Sequence, residues 1–309
     1  MRFFKFSIYI LLFLTVTFCI PSTLLAESEE KIEETYPLKA DGKVYIENIS
    51  GDITVKSWQK NEIKILARKV ARDKDALGMA SIDINHTDSN IRIITRRDKS
   101  WGFSQSTNVS VFYDLMIPDK AQLRIKTISG RIQAWETGGR VDLESISGRI
   151  DIVKAEQGVK CKTISGAIYL EDIKGSMSLK STSGKIIADG LKGSIEANTV
   201  SGDIEIKEFS LADEIEIETI KGSMEAQGEL SPGGIYKFRT VSGKIRLVLA
   251  PASDFELRTD TISGDLQCDF KLNTYTVSQR NKLQGVVGKG GASLKISSVS
   301  GDILINKRK

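Results

Sequence analysis

The sequence is poor in the residue types that most enzymes rely on. Among 309 residues there are one histidine, His86, three cysteines, five prolines and three tryptophans. A Ser-His-Asp or Cys-His nucleophile system would have to use His86, which lies in a predicted turn at residues 86–89. One histidine and scattered cysteines do not make a zinc pattern. We therefore predict no cofactor and no catalytic residue.

Long apolar runs are equally scarce, apart from one at the N-terminus. Arg2 and Lys5 precede the apolar residues 6–20, and residues 21–26 resemble a cleavage site before Glu27. This order of segments predicts a signal peptide over residues 1–26. The mature chain would then be exported to the periplasm, the outer surface or the medium. An uncleaved N-terminal anchor is the alternative; no later stretch is apolar enough to span a membrane.

Charge of one sign does not dominate either. The formal net charge is +4, and it falls to +2 when Arg2 and Lys5 leave with the signal peptide. Nucleic-acid binding usually needs a concentrated basic surface. The near balance of charge therefore predicts that nucleic acid is not the partner.

What the sequence does contain is a glycine-punctuated repeat. Residues 139–210 align with themselves every nine residues, and a Ser-Gly step recurs every 18, at Ser129-Gly130, Ser147-Gly148, Ser165-Gly166, Ser183-Gly184 and Ser201-Gly202. A fixed period indicates stacked units that share a continuous core. We predict an all-β fold, a single-chain parallel β-solenoid (a right-handed β-helix) with about 18–21 residues per coil. An antiparallel meander of nine-residue strand–turn units is the alternative.

The repeat also divides the chain. We predict a polar lead-in at 27–40 and one solenoid domain at 41–309. Within that domain we expect an irregular β insertion at 60–122, the main array at 123–272, a loop insertion at 273–291 and a terminal repeat at 292–305. Inside the β insertion the pattern predicts strands at 62–67, 81–85, 90–95 and 108–117, with one or two helical turns at 73–80.

Side-chain alternation assigns a direction to each position of the repeat. Numbered from its glycine, each nine-residue unit is apolar at positions 3, 5 and 8. Alternation places Val200, Gly202 and Ile204 on the core face, with the turn at positions 6 and 7, such as Asn198-Thr199 or Asp189-Gly190. This predicts that the Ser-Gly glycine lies inside a strand. The competing interpretation places Ser-Gly at the corner itself, with glycine at positive φ.

Positions in the repeat also predict where three other side chains lie. Cys161 falls in the slot of Leu143, Leu179 and Ala197, and Cys268 falls in the slot of Ile152 and Ile206. Both cysteines are therefore predicted to be buried small hydrophobic residues rather than disulfide partners. Trp58 holds position 8 and is predicted to lie in the core.

The repeated Thr/Ser-Ile/Val-Ser-Gly-x-Ile-x-Ile units resemble the bacterial putative-adhesin family of β-strand-repeat proteins. Further points of resemblance are the early repeat at 42–55, the Ile117-Pro118 step and the Gly-Lys-Gly-Gly segment before a final Ser-Val-Ser-Gly-Asp-Ile. The resemblance covers nearly the whole mature chain. It implies an exported β-helical protein, and it transfers no catalytic residue.

Two sets of residues are candidate sites. Trp101 and Phe103, in a basic loop, and Trp135 are predicted to be exposed aromatics of a binding surface. Glu214, Glu216 and Glu218 share one strand face and are a candidate cation site.

We therefore predict an exported, non-catalytic cell-envelope scaffold or adhesion module that binds an envelope polysaccharide or another surface protein. One alternative is a carbohydrate-active β-helix enzyme that uses outward carboxylates such as Asp142, Asp151 and Asp203. Another is an envelope polymer that assembles through the unpaired ends of the solenoid.

Overall fold

The computed structural model describes residues 27–97, 109–279 and 281–309, which form two large sheets and one short helix, α1 (Lys74–Leu77). The first sheet contains β1 (Ser28–Pro37), β3 (Ile53–Trp58), β4 (Glu62–Ala71), β7 (Ser110–Pro118), β9 (Ile132–Thr137), β11 (Ile150–Ala155), β13 (Ile168–Ile173), β15 (Ile186–Asp189), β16 (Leu191–Lys192), β18 (Ile204–Ser210), β20 (Met224–Gly228), β22 (Ile245–Leu249), β24 (Leu266–Cys268) and β28 (Ile303–Lys307). The second contains β2 (Lys43–Asn48), β5 (Ala80–Thr87), β6 (Asn90–Arg97), β8 (Gln122–Thr127), β10 (Val141–Ser145), β12 (Val159–Thr163), β14 (Met177–Ser181), β17 (Ile195–Ser201), β19 (Glu214–Lys221), β21 (Ile235–Ser242), β23 (Phe255–Ser263), β25 (Leu272–Gln279), β26 (Lys282–Val287) and β27 (Ala292–Ser300).

Each repeat of the central array contributes one strand to each sheet, so that equivalent residues stack directly on one another. We call each such pair of strands, one from each sheet, a level. Cys161 pairs in register with Leu143 on one side and Leu179 on the other, as the repeat predicted. Inward residues of both sheets, such as Leu143 and Ile152, are fully buried and form one continuous core. The predicted all-β fold of repeating strands is confirmed.

The two sheets are mixed, and neither closes on itself. Pairing is parallel through the central repeats and antiparallel towards the ends, where β1, β4 and β7 pair in the first sheet and β5 with β6 in the second. Residues 28–37, predicted as part of a lead-in, form β1. Residues 273–291, predicted as a loop, contain most of the antiparallel pair β25–β26. The predicted insertion strands and the short helix are present as β4 to β7 and α1.

The C-terminal repeat is inserted between two repeats that precede it in sequence. In the second sheet β27 lies between β21 and β23, and in the first sheet β28 lies between β22 and β24. The chain therefore leaves a gap of one level between β21–β22 and β23–β24. After the hairpin β25–β26 it returns and fills that gap with β27 and β28.

The Ser-Gly step lies at a corner between the two sheets, which corrects the prediction that its glycine lies inside a strand. Ile195, Ala197 and Thr199 of β17 point inward, and the chain then turns at residues 200–203 before Ile204 points inward again in β18. Val200, predicted to lie in the core, is 47% exposed. The predicted turn at Asn198-Thr199 is wrong, because alternation does not continue through the corner.

Glycine is required at this corner because neighbouring levels approach closely through their backbones. A Cβ atom built on Gly184 would lie 1.8 Å from the carbonyl oxygen of Gly166, and one on Gly166 would lie 2.0 Å from that of Gly148. The same overlap recurs from level to level through Gly51, Gly130, Gly148, Gly166, Gly184, Gly202, Gly222, Gly243, Gly301 and Gly264. We call this column the glycine stack.

A buried column of hydroxyl side chains supports the glycine stack from the core side. Its members are Thr127, Ser145, Thr163, Ser181, Thr199, Thr219, Thr240, Ser298 and Thr261. In three levels the hydroxyl accepts a hydrogen bond from the glycine amide three residues later, as in Thr163 Oγ1 with Gly166 N at 2.9 Å. Such local side-chain to backbone bonds are typical of Ser and Thr in turns.

The opposite corner has its own turn residues, and here the prediction was correct in part. Glu136, Lys154 and Asp172 have positive φ values of 55–60°, and Gly190, at the equivalent position, has a φ of 65°. The predicted turn at Asp189-Gly190 therefore lies at this corner. The two halves of the repeat thus turn at different positions of the nine-residue unit.

Two core assignments are only partly met. Trp58 is half-buried, and its indole N–H donates a hydrogen bond to the carbonyl of Glu62 at 2.7 Å. Cys161 is fully buried, and burial raises the pKa of its thiol, but Cys268 is half-buried; both are free thiols. No helix among the described residues is long and apolar enough to cross a membrane.

Adding one methyl group inside the glycine stack should destabilise the protein. We expect Gly184→Ala to lower the free energy of unfolding by about 1–3 kcal/mol, because the new Cβ must displace a backbone carbonyl. Gly78→Ala is the matched control, since its Cβ would lie at an ordinary 3.4 Å from the nearest atom. Urea unfolding followed by circular dichroism measures both, and equal midpoints would contradict the steric role of the stack.

The hydroxyl column provides a second, internally matched comparison. Thr163→Val removes the acceptor of the Gly166 amide and should cost about 1–3 kcal/mol, the penalty for a buried unpaired donor. Thr199→Val should be close to neutral, because Thr199 Oγ1 has no partner among the described residues and the Gly202 amide donates to Lys221 O at 3.0 Å. Equal losses in the two variants would show that these hydroxyls act through packing alone.

Candidate binding surfaces

The Ser-Gly corner carries an exposed aliphatic column, which we call the aliphatic stripe. From one end to the other it contains Ile49, Ile128, Ile146, Ile164, Thr182, Val200, Ile220, Val241, Val299 and Ile262, in the strand order of the second sheet. Eight of these side chains are 44–71% exposed, Ile49 is half-buried, and Thr182 is the one polar member. Ten levels at about 4.8 Å make the stripe about 43 Å long.

The local sequence explains why aliphatic side chains point outward here. In Thr163-Ile164-Ser165-Gly166 the threonine points inward and bonds the glycine amide, so the following isoleucine faces solvent. The backbone amides of the corner remain bonded between levels, as in Ser165 N to Ile146 O at 2.9 Å. The hydrogen bonding between levels therefore continues from the strands through the corner.

A second candidate surface is a basic groove on the outer face of the second sheet, near its N-terminal levels. The groove has a volume of about 670 Å³. Its cationic side chains are Lys43, Arg92, Arg124, Arg140 and Lys160, and Asp142 is its one acidic residue. Register places Arg92, Tyr45, Arg124, Asp142 and Lys160 on successive strands.

Only part of this positive charge is neutralised within the protein. Arg124 approaches Asp142 at 3.8 Å and Glu144 at 3.5 Å. Among the ion pairs of the described residues, none involves Lys43, Arg92, Arg140 or Lys160. Four exposed cations therefore face the groove without an acidic partner.

The surroundings of Tyr45 and Glu144, beside the basic groove, determine the protonation state of each side chain. Arg92 lies over the Tyr45 ring at 4.8 Å from its centroid, a cation–π contact. Burial, followed by the hydrogen bond to Glu47, raises the pKa of Tyr45, so its hydroxyl stays protonated and donates to Glu47 at 2.9 Å. Burial alone would raise the pKa of Glu144, but Lys126 and Arg124 together lower it, so Glu144 stays charged.

A larger concavity of about 920 Å³ lies at the other end of the same sheet, among β21, β23, β26 and β27. Its cations include Arg239, Arg258, Lys282 and Lys295, and its acidic residues are Glu256 and Asp260. Arg239 pairs with Glu218 at 2.9 Å and Lys282 with Asp260 at 3.3 Å. This surface is therefore more nearly neutral than the basic groove.

The sequence-predicted aromatic residues do not come together in the part of the chain that the structure describes. Trp101 and Phe103 lie outside the described residues. Trp135 is half-buried on β9, on the outer face of the first sheet, with Lys56 Nζ at 5.2 Å from its ring centroid. Their role in binding stays a prediction.

The three glutamates of the predicted cation site contact cationic side chains of the protein itself. Glu214 pairs with Lys237 at 3.3 Å, Glu216 lies 3.9 Å from Arg239, and Glu218 pairs with Arg239 at 2.9 Å. Within residues 27–97, 109–279 and 281–309, no group of three or more His, Cys, Asp or Glu side chains is placed to hold a metal ion. A cation at these glutamates stays a prediction.

Sequence reasoning missed both surfaces. The groove residues come from four separate stretches, 43–45, 85–92, 122–124 and 140–160. Only the pairing of β2 with β6 and β8, continued from β8 to β10 and β12, brings them together. The stripe was visible as position 8 of the repeat, but alternation assigned it to the core. The inward Thr or Ser that precedes nine of the ten stripe residues is the signal that would have placed the stripe correctly.

Comparison with known proteins gives a family and a set of distant structures. A family model described as Toastrack DUF4097 matches residues 13–233 and 232–306. No protein with a curated description is significantly similar in sequence. Among solved structures, a putative adhesin from Bacteroides fragilis NCTC 9343 is 14% identical with a TM-score of 0.44, covering 90% of this chain and 98% of that one.

Two further structures are similar at lower scores. A putative cell adhesion protein from Clostridium sporogenes ATCC 15579 is 10% identical with a TM-score of 0.28, covering 90% of this chain and 100% of that one. A putative lipid binding protein from Parabacteroides distasonis ATCC 8503 is 10% identical with a TM-score of 0.32, covering 90% and 97%. With all three TM-scores below 0.5, what those proteins bind is not carried over to this chain.

Proposed function

The chain belongs to the Toastrack DUF4097 family, and from this membership we propose that it is an exported, non-catalytic binding module of the cell envelope. The family match bears out the resemblance to β-strand-repeat proteins of the putative-adhesin kind. We propose further that residues 1–26 are a cleaved signal peptide and that residues 41–309 form one domain of β-solenoid type, with the central levels as its coils.

The observation that carries the binding proposal is the basic groove. Lys43, Arg140 and Lys160 present exposed positive charge in a concave surface, where charges of one sign reinforce each other's field. Because the groove crosses successive strands, its cations recur at the strand spacing. A linear chain of repeated anionic groups can pair with several of them at once.

Among anionic chains we propose an acidic polysaccharide as the ligand. Exposed His86 stacks on Tyr36 with ring centroids 4.2 Å apart, and Tyr45 lies along the groove beside Arg124. Aromatic rings offer apolar faces beside polar edges, which suits sugar rings that bear carboxylates. The groove thus combines ionic contacts with surfaces for the sugar itself.

Binding rather than catalysis also accounts for the outward carboxylates. Asp151 is engaged by both Arg131 and Arg149, and Glu205 pairs with Lys185 at 2.8 Å. Both carboxylates therefore contact protein cations. A glycosidase needs instead two carboxyl groups that face the scissile bond of a bound sugar.

We expect the purified protein to bind polygalacturonate in a salt-dependent manner, because ionic contacts at an exposed site are screened by salt. The triple variant Lys43→Gln, Arg140→Gln and Lys160→Gln should weaken that binding by about tenfold or more, close to 1.4 kcal/mol. Isothermal titration calorimetry measures the affinity, with neutral dextran and polyphosphate as comparison ligands. Unchanged melting temperatures would confirm that the variant is folded.

The matched control removes the same charge from the other concavity, by Arg258→Gln, Lys282→Gln and Lys295→Gln. It should change the affinity less than about threefold. Equal losses in the two triple variants would assign binding to net charge rather than to the groove. Binding of polyphosphate but not of polygalacturonate would overturn the choice of ligand.

A further inference from the structure

We propose that the aliphatic stripe is an interface on which a second copy of this chain docks side by side and antiparallel. This proposal does not depend on the ligand of the basic groove. It rests on the arrangement of eight exposed aliphatic side chains in a single line along the Ser-Gly corner.

The exposed aliphatic side chains of the stripe are regularly spaced, so they form one surface rather than a set of unrelated exposed residues. Single exposed aliphatic residues are ordinary on protein surfaces, whereas contiguous apolar patches mark sites of interaction. Here one Ile or Val recurs at nine of ten levels. It lies between an inward Ser or Thr (Asn48 at the first level) and a following Ser, or the equivalent Lys221. The aliphatic side chains therefore form one ridge with a single interruption, at Thr182.

A second copy fits this ridge because it carries the same spacing. The stripe residues repeat at the strand spacing of about 4.8 Å over about 43 Å. A second stripe has the same period and length, so every level of one copy can meet a level of the other. An interface that uses the same patch on both copies is the usual form of a twofold dimer.

The charges beside the stripe disfavour a parallel pair. In a parallel pair, related by a twofold axis along the stack, each level faces the same level of the partner. The residue two positions before each stripe residue then lies opposite the partner's residue three positions after the same stripe residue. That arrangement opposes mostly like charges: Glu47 with Asp52, Lys126 with Arg131, Lys180 with Lys185, Arg239 with Lys244, and Asp260 with Asp265. Glu144 with Arg149 is the one attractive pair.

The same charges favour an antiparallel pair with the ten levels in register. The first level then faces the tenth, and each flank faces its own kind in the partner. Four opposite-charge pairs result on each half of the interface: Lys162 with Glu218, Glu144 with Arg239, Arg131 with Asp302, and Lys185 with Asp203. Repulsion remains at three places, Glu47 with Asp260, Asp52 with Asp265, and Arg149 with Lys244.

The size of the stripe sets the strength of the contact. A strip about 43 Å long and about 10 Å wide, the thickness of two packed sheets, buries roughly 900 Å² in total, below the range of standard stable interfaces. We therefore expect a weak, reversible dimer with a dissociation constant of about 10–100 µM. Concentration at a surface or on a polymer would populate it.

The N-terminal edge of the first sheet is less suited to self-association than the stripe. At the N-terminal end the edge strand β1 carries Glu29, Glu30, Lys31, Glu33 and Glu34, and charged edge strands oppose further strand pairing. Charge on this edge therefore favours the stripe over strand pairing at β1 as the surface for a second copy.

Sedimentation velocity from about 1 to about 500 µM tests the proposal on protein recovered after expression with its own leader. We expect a rise towards dimer mass, and we expect Ile146→Ser with Val241→Ser, which face each other in the antiparallel pair, to raise the dissociation constant at least about tenfold. Leu211→Ser, a 74% exposed residue at the opposite corner, should leave association unchanged. A monomer at every concentration would overturn the proposal, as would binding of the stripe to phosphatidylcholine vesicles without dimerisation.

Orientation is tested by a charge exchange. Lys162→Glu alone should weaken the dimer, because it places Glu218 of the second copy opposite another carboxylate, and adding Glu218→Lys should restore it. In a parallel pair residue 162 would face Ala167, so the second substitution would give no rescue. Dimerisation that survives Ile146→Ser with Val241→Ser would assign the contact to another surface and reject the stripe.

Discussion

The close backbone contact at the Ser-Gly corner is the constraint on which the rest of the structure depends. Each glycine of the stack lies so near the carbonyl of the level below that no side chain fits between them. This contact fixes where the chain passes from one sheet to the other, and so it keeps the central levels in register with one another. Longer repeats after Ser210 lengthen other segments and leave this corner in place.

Register then determines what appears on the surface. Because equivalent positions stack, one choice of residue type is multiplied into a column: hydroxyls inside the corner, Ile or Val outside it, and charges on the outer faces. In three levels the inward hydroxyl bonds the glycine amide, whereas Thr199, Thr240 and Ser298 have hydroxyls without a partner among the described residues. The column is thus kept by register in levels where its hydrogen bond is not used.

The period, the strands and the slots of Cys161 could be predicted from the sequence, because they follow from local repetition. The direction of Val200 could not be predicted by alternation, since a corner interrupts the two-residue period and the hydroxyl of Thr199 takes the inward place. The basic groove was beyond local reasoning for a different reason. Arg92, Tyr45 and Lys160 line one groove only because β2 pairs with β6 and, across the β insertion, with β8. The position of β27 and β28, between repeats that precede them in sequence, has no local sequence signal.

The positions of the basic groove and the aliphatic stripe on the stack link ligand binding to pairing. The groove lies near the second level of the second sheet, and the stripe runs along the edge of that sheet. In an antiparallel pair both copies present the second sheet to the same side, so the two grooves lie on one face, about 34 Å apart along the stack at the strand spacing. A single polymer can then occupy both grooves, and the second contact forms at high effective concentration. Weak pairing and weak ligand contacts would reinforce each other, because each bound polymer holds two copies together.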